Sequence, residues 1–386
     1  MGEASYREAE DSLWRSTGAR PREQMLALAR LDTSVRVLEI GQGPPVVFVH
    51  GASNGATSWA HLAARMPEFR CVLLDRPGCA LSPPLRPPPA DMEQFQAVAE
   101  ALVVDVLDAL ELPGADVVAT SFGGYFALRG AAAHPHRVRR LVLLGWTFGA
   151  PVAATPLVMR LAATPVAGRL GARIPPTDAT VRALLRQVGL RGALASGRFG
   201  PTEIAWFKAL LRHTNTMRNE MAGSPRVMTM RGFNEASRFP AAVLQQVTAP
   251  TLALWGSDDP MGGVRIAEDF CALLPDVQLE ILDGAGHAPW MDYPDEVATR
   301  VVAFLSTDEP QPPQHNNTWM SDRLGPSAST ARLHSSSSSE TTLHGRPSAS
   351  RTPGSTPLAA GADNQTVAPS SRAAATASRL SRFSCA

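Results

Sequence analysis

The sequence predicts an α/β fold: a mostly parallel central sheet with helices on both faces and a helical insertion near the middle. Two patterns carry this. Short apolar, β-rich runs alternate with stretches of helical periodicity along residues 23–306. Strands that are apolar on both sides need cover on both sheet faces, which is the mark of a parallel sheet. The alternation then stops between about residues 147 and 240, where the chain reads as several helices broken by Pro and Gly, with no convincing strand.

Taken in order, residues 35–40 and 45–50 read as strands, the second running into His50-Gly51. Residues 71–74 make another strand, which ends at Asp75. Residues 92–112 are helical, because Phe95, Val98, Leu102, Val106 and Leu110 recur at a spacing of three to four. Strand 116–120 runs straight into helix 122–133, and strand 138–144 follows. Beyond the insertion come strands 250–255 and 277–282, then a last helix at 294–305. An insertion after a strand's C-terminal end lands above the ligand-binding edge of such a sheet, so 147–240 is expected to cap a site there.

The ends of the chain read differently. Residues 1–22 are polar and charged, an N-terminal segment of uncertain order with no apolar signal stretch. From 307 to 386 the composition turns to Ser, Thr, Pro, Ala and Arg, with five serines at 335–339. Such a tail has too little apolar surface to offset its ordering entropy and is expected to be disordered.

Composition sets outer limits. The chain has 386 residues, 44% of them hydrophobic, enough for a sizeable core. A net charge of +1 makes no electrostatic case for nucleic acid or an anionic membrane. Its basic residues are arginines apart from Lys208, a compositional bias that devalues any single arginine cluster. Cys71, Cys79, Cys271 and Cys385 show no C-x-x-C pairing, which argues against a zinc site or disulfide scaffold and fits a reducing compartment. No apolar run approaches a membrane span, so a cytoplasmic protein is expected and the sequons at Asn316 and Asn364 read as chance matches.

The chemistry gathers at strand ends. Val117-Val118-Ala119-Thr120-Ser121-Phe122-Gly123-Gly124 is a strand, a sharp turn and a helix start. A serine on such a turn is exposed at the sheet edge, provided its neighbours are small, and the helix start aims N–H groups at it. A serine there can also be a simple helix cap. As a nucleophile it needs a base, and the base needs a carboxylate to hold its tautomer. Asp258 and Asp259 follow one late strand and His287 follows the next, in the small-residue loop Gly284-Ala285-Gly286-His287. A tetrahedral oxyanion needs two preset backbone donors. The N–H of Phe122 supplies one, and the N–H of Ala52, in His50-Gly51-Ala52-Ser53-Asn54-Gly55, is the candidate for the other. His50 ends its strand and suits organising that loop better than acting as base.

In this order the motifs resemble the α/β-hydrolase superfamily, in its capped esterase, lactonase and C–C hydrolase branch. The residues that carry the resemblance are His50-Gly51, Asp75-Arg76-Pro77-Gly78 with Ser82, Ser121-Phe122-Gly123-Gly124, Trp255-Gly256 with Asp259, and Gly286-His287. It spans about residues 25–306. Two positions depart from it: Ala119 and Ala80 stand where glycine is usual. The resemblance implies a triad of Ser121, Asp259 and His287, with Asp259 preferred over Asp258 by its spacing from Gly256. It implies a cofactor-free and metal-free hydrolase acting on a small ester, lactone or thioester, with C–C bond hydrolysis as the alternative. A non-catalytic ligand-binding protein on the same fold is the more distant alternative. Serine at the nucleophile position disfavours the epoxide hydrolases and dehalogenases of this fold, which use a carboxylate there.

Basic side chains outnumber acidic ones in 147–240, which suits either an anionic substrate or solvent-facing arginine. Trp206, Phe207, Leu210 and Leu211 suggest an amphipathic helix whose apolar side packs or lines the pocket.

Overall fold

A computed structural model describes residues 2–153, 155, 160, 164, 170 and 175–307 of the chain. Part of the insertion and nearly all of the Ser-rich tail, including its expected disorder, lie outside the described residues. The first element is one the periodicity does not announce. Helix α1 (Gly2–Thr17) buries Tyr6, Glu10, Leu13 and Trp14 along one face. Strand β1 (Arg22–Leu28) was equally silent in the sequence, and it pairs antiparallel with β2 (Thr33–Ile40). Then come β3 (Pro45–Val49), a helical turn at Ala56–Trp59, the short α2 (Ala60–Ala63) and β4 (Arg70–Leu74). Helix α3 (Met92–Ala109) starts where Asp91 caps it, its carboxylate accepting from Gln94 N at 2.9 Å. Strand β5 (Ala115–Ser121) passes directly into α4 (Phe122–Ala133), followed by β6 (Val138–Thr147).

Four described helices of the insertion follow: α5 (Asp178–Gln187), α6 (Arg191–Ser196), α7 (Pro201–His213) and α8 (Thr216–Val227). Helix α7 buries Trp206, Phe207 and Leu210 as the amphipathic pattern requires. The expectation of no strand in the insertion is corrected by a small hairpin, β7 (Met228–Thr229) with β8 (Gly232–Phe233). Two-residue strands are too short to leave a period-two pattern. The short α9 (Ala241–Leu244), β9 (Thr251–Gly256), α10 (Val264–Cys271), β10 (Val277–Leu282), the short α11 (Pro289–Asp292) and α12 (Pro294–Leu305) complete the described chain.

The eight long strands form one sheet in the order β1-β2-β4-β3-β5-β6-β9-β10, parallel from β4 to β10. Both faces are covered, and side chains alternate between two cores. Val47 and Val49 of β3 join the core beneath α3 and α4, while Val46 and Phe48 join that beneath α1, α7 and α12. Trp59 packs in the second core, fully buried. Because β4 and β5 lie on opposite sides of β3, the chain order reverses there. A reversal of this kind opens a crevice at the carboxyl ends of the strands.

Candidate active site

Every residue singled out for chemistry lies at that carboxyl edge. Ser121 is the last residue of β5 and the cap of α4, with φ 52° and ψ −121°. An L-residue at positive φ is strained by roughly 1–3 kcal/mol, and the surroundings must hold it. They do so through glycine. A Cβ on Gly123 would stand 2.0 Å from the Val49 carbonyl oxygen, and one on Gly124 would stand 2.7 Å from Thr147 Oγ1. Gly51 packs on the serine itself, its would-be Cβ 3.1 Å from Ser121 Cβ. Ala119, where glycine is usual, sits buried in β5 opposite Val49 and Leu143. Ala80 occupies φ 45°, which explains why glycine is common at that turn. Gly123→Ala is expected to cost about 1–3 kcal/mol through overpacking against backbone that has no rotamer to yield. The urea midpoint should fall at constant m value.

Two residues after Ser121 the helix α4 is under way, so the first N–H groups, Phe122's among them, have no intrahelical partner. The Phe122 ring stacks on Phe148 at 4.2 Å. Ala52 lies exposed in the loop after β3, beside Ser53 at φ 52°.

The carboxylate and the histidine meet. His287 Nδ1 lies 2.9 Å from Asp259 Oδ2. Asp259 is buried, and its carboxylate is fixed by two backbone donors, Trp146 N to Oδ2 at 2.8 Å and Met261 N to Oδ1 at 2.9 Å. Asp258 is exposed and accepts instead from the Ser257 hydroxyl at 3.2 Å. Among the described residues, neither His287 Nε2 nor the Ser121 hydroxyl makes a hydrogen bond. Gly145, at φ 75°, lets the end of β6 reach the pair, since a Cβ there would stand 2.4 Å from His287 O.

Three contributors have no sequence signal of their own. Asp292 is buried and accepts from Gly286 N at 2.9 Å and Ala193 N at 3.0 Å, tying the His287 loop to α6. Burial pushes its carboxyl above the ordinary range. Trp146 contributes a main-chain N–H, which any residue type could supply. Glu220 of α8 reaches Arg76, as described below. His50 is buried, accepting from Arg76 N at Nε2 (3.0 Å) and bonding Gly51 O through Nδ1 (2.7 Å). Burial, reinforced by Arg76, holds its imidazole well below the usual range, so it is neutral. That pattern makes Nδ1 the donor and leaves no nitrogen for catalysis.

None of the described basic side chains of the insertion is buried. Among the described residues no group of three His, Cys, Asp or Glu could hold a metal ion, and no helix is long and apolar enough to cross a membrane. Cavities of about 260 Å³ (around His61, Glu203 and Trp290) and about 270 Å³ (around Gly149, Arg231 and Phe233) open elsewhere, and neither is lined by Ser121, Asp259 or His287.

Residues 44–294 match the model of the alpha/beta hydrolase fold family, and the chain belongs to that family. Among relatives, it is 27% identical over 285 residues to a 2-hydroxy-6-oxononadienedioate/2-hydroxy-6-oxononatrienedioate hydrolase of Cupriavidus pinatubonensis, a match covering 71% of this chain and 92% of that protein. A shorter stretch of 109 residues is 43% identical to a 2-hydroxymuconate semialdehyde hydrolase of a Pseudomonas species, covering 27% of this chain and 37% of the relative. Among solved structures, a naproxen esterase of Bacillus subtilis superposes with a TM-score of 0.62 at 19% identity, over 78% of this chain and 97% of its own. The chain is thus a hydrolase of this fold, as its motifs suggested.

Proposed function

We propose that the chain is a cofactor-free serine hydrolase that cleaves a carboxylic ester, lactone or thioester through Ser121, Asp259 and His287. The observation that carries this reading is the Asp259 carboxylate, buried, held by two backbone N–H groups and bonded to His287 Nδ1 at 2.9 Å. A carboxylate on Nδ1 keeps that proton in place and frees Nε2 to accept one. Ser121 Oγ attacks the carbonyl carbon, and His287 Nε2 takes the hydroxyl proton. The oxyanion is held by the N–H groups of Phe122 and Ala52. The tetrahedral intermediate collapses, His287 protonates the leaving group, and water activated by the same nitrogen releases the acid. Serine–base bonds are often loose before substrate arrives and tighten in the complex. The insertion, about residues 147–240, serves as the cap that excludes water and selects substrate, an apolar acyl group suiting the ring of Trp146, 6.2 Å from that of His287.

A second reading, hydrolysis of a carbon–carbon bond beside a carbonyl, is favoured by one observation: the C. pinatubonensis relative, aligned over 92% of its length, is by name a hydrolase of oxo-dienedioates. A fluorophosphonate probe tests the nucleophile common to both readings. The wild type should label stoichiometrically and Ser121→Ala not at all; labelling that persists in Ser121→Ala defeats the assignment. Turnover of p-nitrophenyl esters against a vinylogous 1,5-diketone acid then separates ester from C–C chemistry.

A further inference from the structure

Of the buried arginines Arg36, Arg76 and Arg129, Arg76 lies against the loop that carries Ala52. Arg76, 4% exposed, follows β4 and reaches under the loop that carries Ala52. Its Nε donates to His50 O at 3.0 Å and its Nη2 to Gly51 O at 3.0 Å. His50 Nδ1–H donates to the same Gly51 oxygen at 2.7 Å. That oxygen belongs to the Gly51–Ala52 peptide, whose N–H is the Ala52 N–H. In a trans peptide the two groups point in opposite directions. Two donors on the carbonyl therefore hold the plane with its N–H turned away from Arg76 and His50. Gly51 itself is packed against Ser121. Hydrogen bonds polarise one another along such a chain, so a cationic donor on the carbonyl also strengthens the N–H as a donor.

The guanidinium is in turn gripped by the insertion. Arg76 Nη2 donates to Glu220 Oε1 at 2.9 Å, and the Cys79 thiol donates to that same oxygen at 3.2 Å. Glu220 is not alone on its helix face. Thr216 Oγ1 accepts from Ala80 N at 2.8 Å, and Asn219 Nδ2 donates to Gly78 O at 2.8 Å. Positions 216, 219 and 220 share one face of α8, spaced three and four apart. Three side chains of one helix thus clasp the 76–80 loop, and the only charge among them meets Arg76.

We infer that Glu220 is a positioning residue through which the cap sets the oxyanion hole, its carboxylate holding Arg76 so that Arg76 and His50 fix the Gly51–Ala52 peptide. This rests on the serine-hydrolase reading of Ser121. It makes the hole fully formed only while α8 is seated on the 76–80 loop, so cap position and chemistry are coupled.

The test uses the full chain with p-nitrophenyl acetate and a trifluoromethyl ketone, which adds to the serine and places an oxyanion in the hole. Glu220→Ala is expected to lower kcat about 10- to 100-fold, short of deleting a donor outright, with KM within about twofold. The ketone's Ki should rise by the same factor, because it reports the transition state. Glu220→Gln keeps an acceptor but not the charge, and should lose about threefold or more in both quantities. Asp178→Asn, which breaks an exposed pair with Lys208 elsewhere on the insertion, should match the wild type. If Glu220→Ala does not fold, Glu220→Gln decides alone. Wild-type kcat and Ki in that variant, or a change confined to KM, overturns the inference. Failure of the wild type to turn over or to label with fluorophosphonate instead brings down the hydrolase reading itself.

Discussion

Ser121→Ala and His287→Ala are each expected to lower kcat about 10⁶-fold, and the double variant no further, because groups that act as one unit do not add. Asp259→Asn should cost about 10⁴-fold. The geometry gives the reason for that smaller but severe loss. Both carboxylate oxygens accept backbone N–H bonds, Oδ1 from Met261 and Oδ2 from Trp146. An amide in the same place must turn its NH₂ toward one of those N–H groups, whichever way it is placed. In the proposed mechanism it also removes the negative charge that would stabilise the imidazolium when His287 takes the serine proton. Asp258→Asn should stay within about twofold of wild type, since an exposed side chain away from His287 has little leverage. Steady-state kinetics on one p-nitrophenyl ester checks the series. Equal losses at Asp258 and Asp259, or additive losses at Ser121 and His287, would contradict the assignment.

The sheet was legible because its strands are apolar on both faces, and helices α3 and α4 because they repeat at helical spacing. Strand ends could be read off wherever glycines mark a close approach, as at Gly51, Gly123 and Gly256. What stayed hidden was hidden for physical reasons. Helix α1 is amphipathic but strongly polar, with Glu10 buried because it finds Arg36 across 26 positions of sequence. Strand β1 is an edge strand, exposed along its first half, so it lacks the doubly apolar run. At the site, side-chain chemistry was visible and positioning was not. Asp292 and Glu220 act on main-chain atoms or on a guanidinium remote in sequence, and nothing in local spacing links them to Gly286 or Gly51. Spacing from Gly256 favours Asp259 over Asp258 in the sequence; what two adjacent identical residues cannot reveal is that Asp259 is buried and Asp258 exposed.

Arg36→Met is expected to destabilise the fold by about 3–5 kcal/mol at about pH 7.5, the cost of stranding buried charge. The guanidinium is almost wholly buried, donating to Glu10 at 2.6 Å, Glu23 at 2.9 Å and Asp75 at 3.1 Å. Glu23 is partly exposed and keeps Arg7 as a partner, at 2.7 Å. Glu10 and Asp75 have no second cation among these pairs; their remaining bonds come from neutral donors, Tyr6 and Thr57 to Glu10, and Ala56 N and Leu81 N to Asp75. Burial pushes Asp75 up to about 6 even with Arg36 beside it. Loss of the cation raises that value further. A carboxyl whose folded value lies above its unfolded one favours the folded state when protonated, and stability is lost as pH rises through the folded value. The penalty in Arg36→Met should therefore shrink markedly at about pH 5. Glu23 works the other way: its hydrogen bond from Arg7 lowers it to about 2, so its contribution is lost only as pH falls through that value, below the window of the test. Urea midpoints of wild type and variant at the two pH values measure the difference. A penalty equal at both would mean that packing of the arginine stem, and not its charge, ties α1 and the Ala56–Trp59 turn to the sheet beside the Ala52 loop.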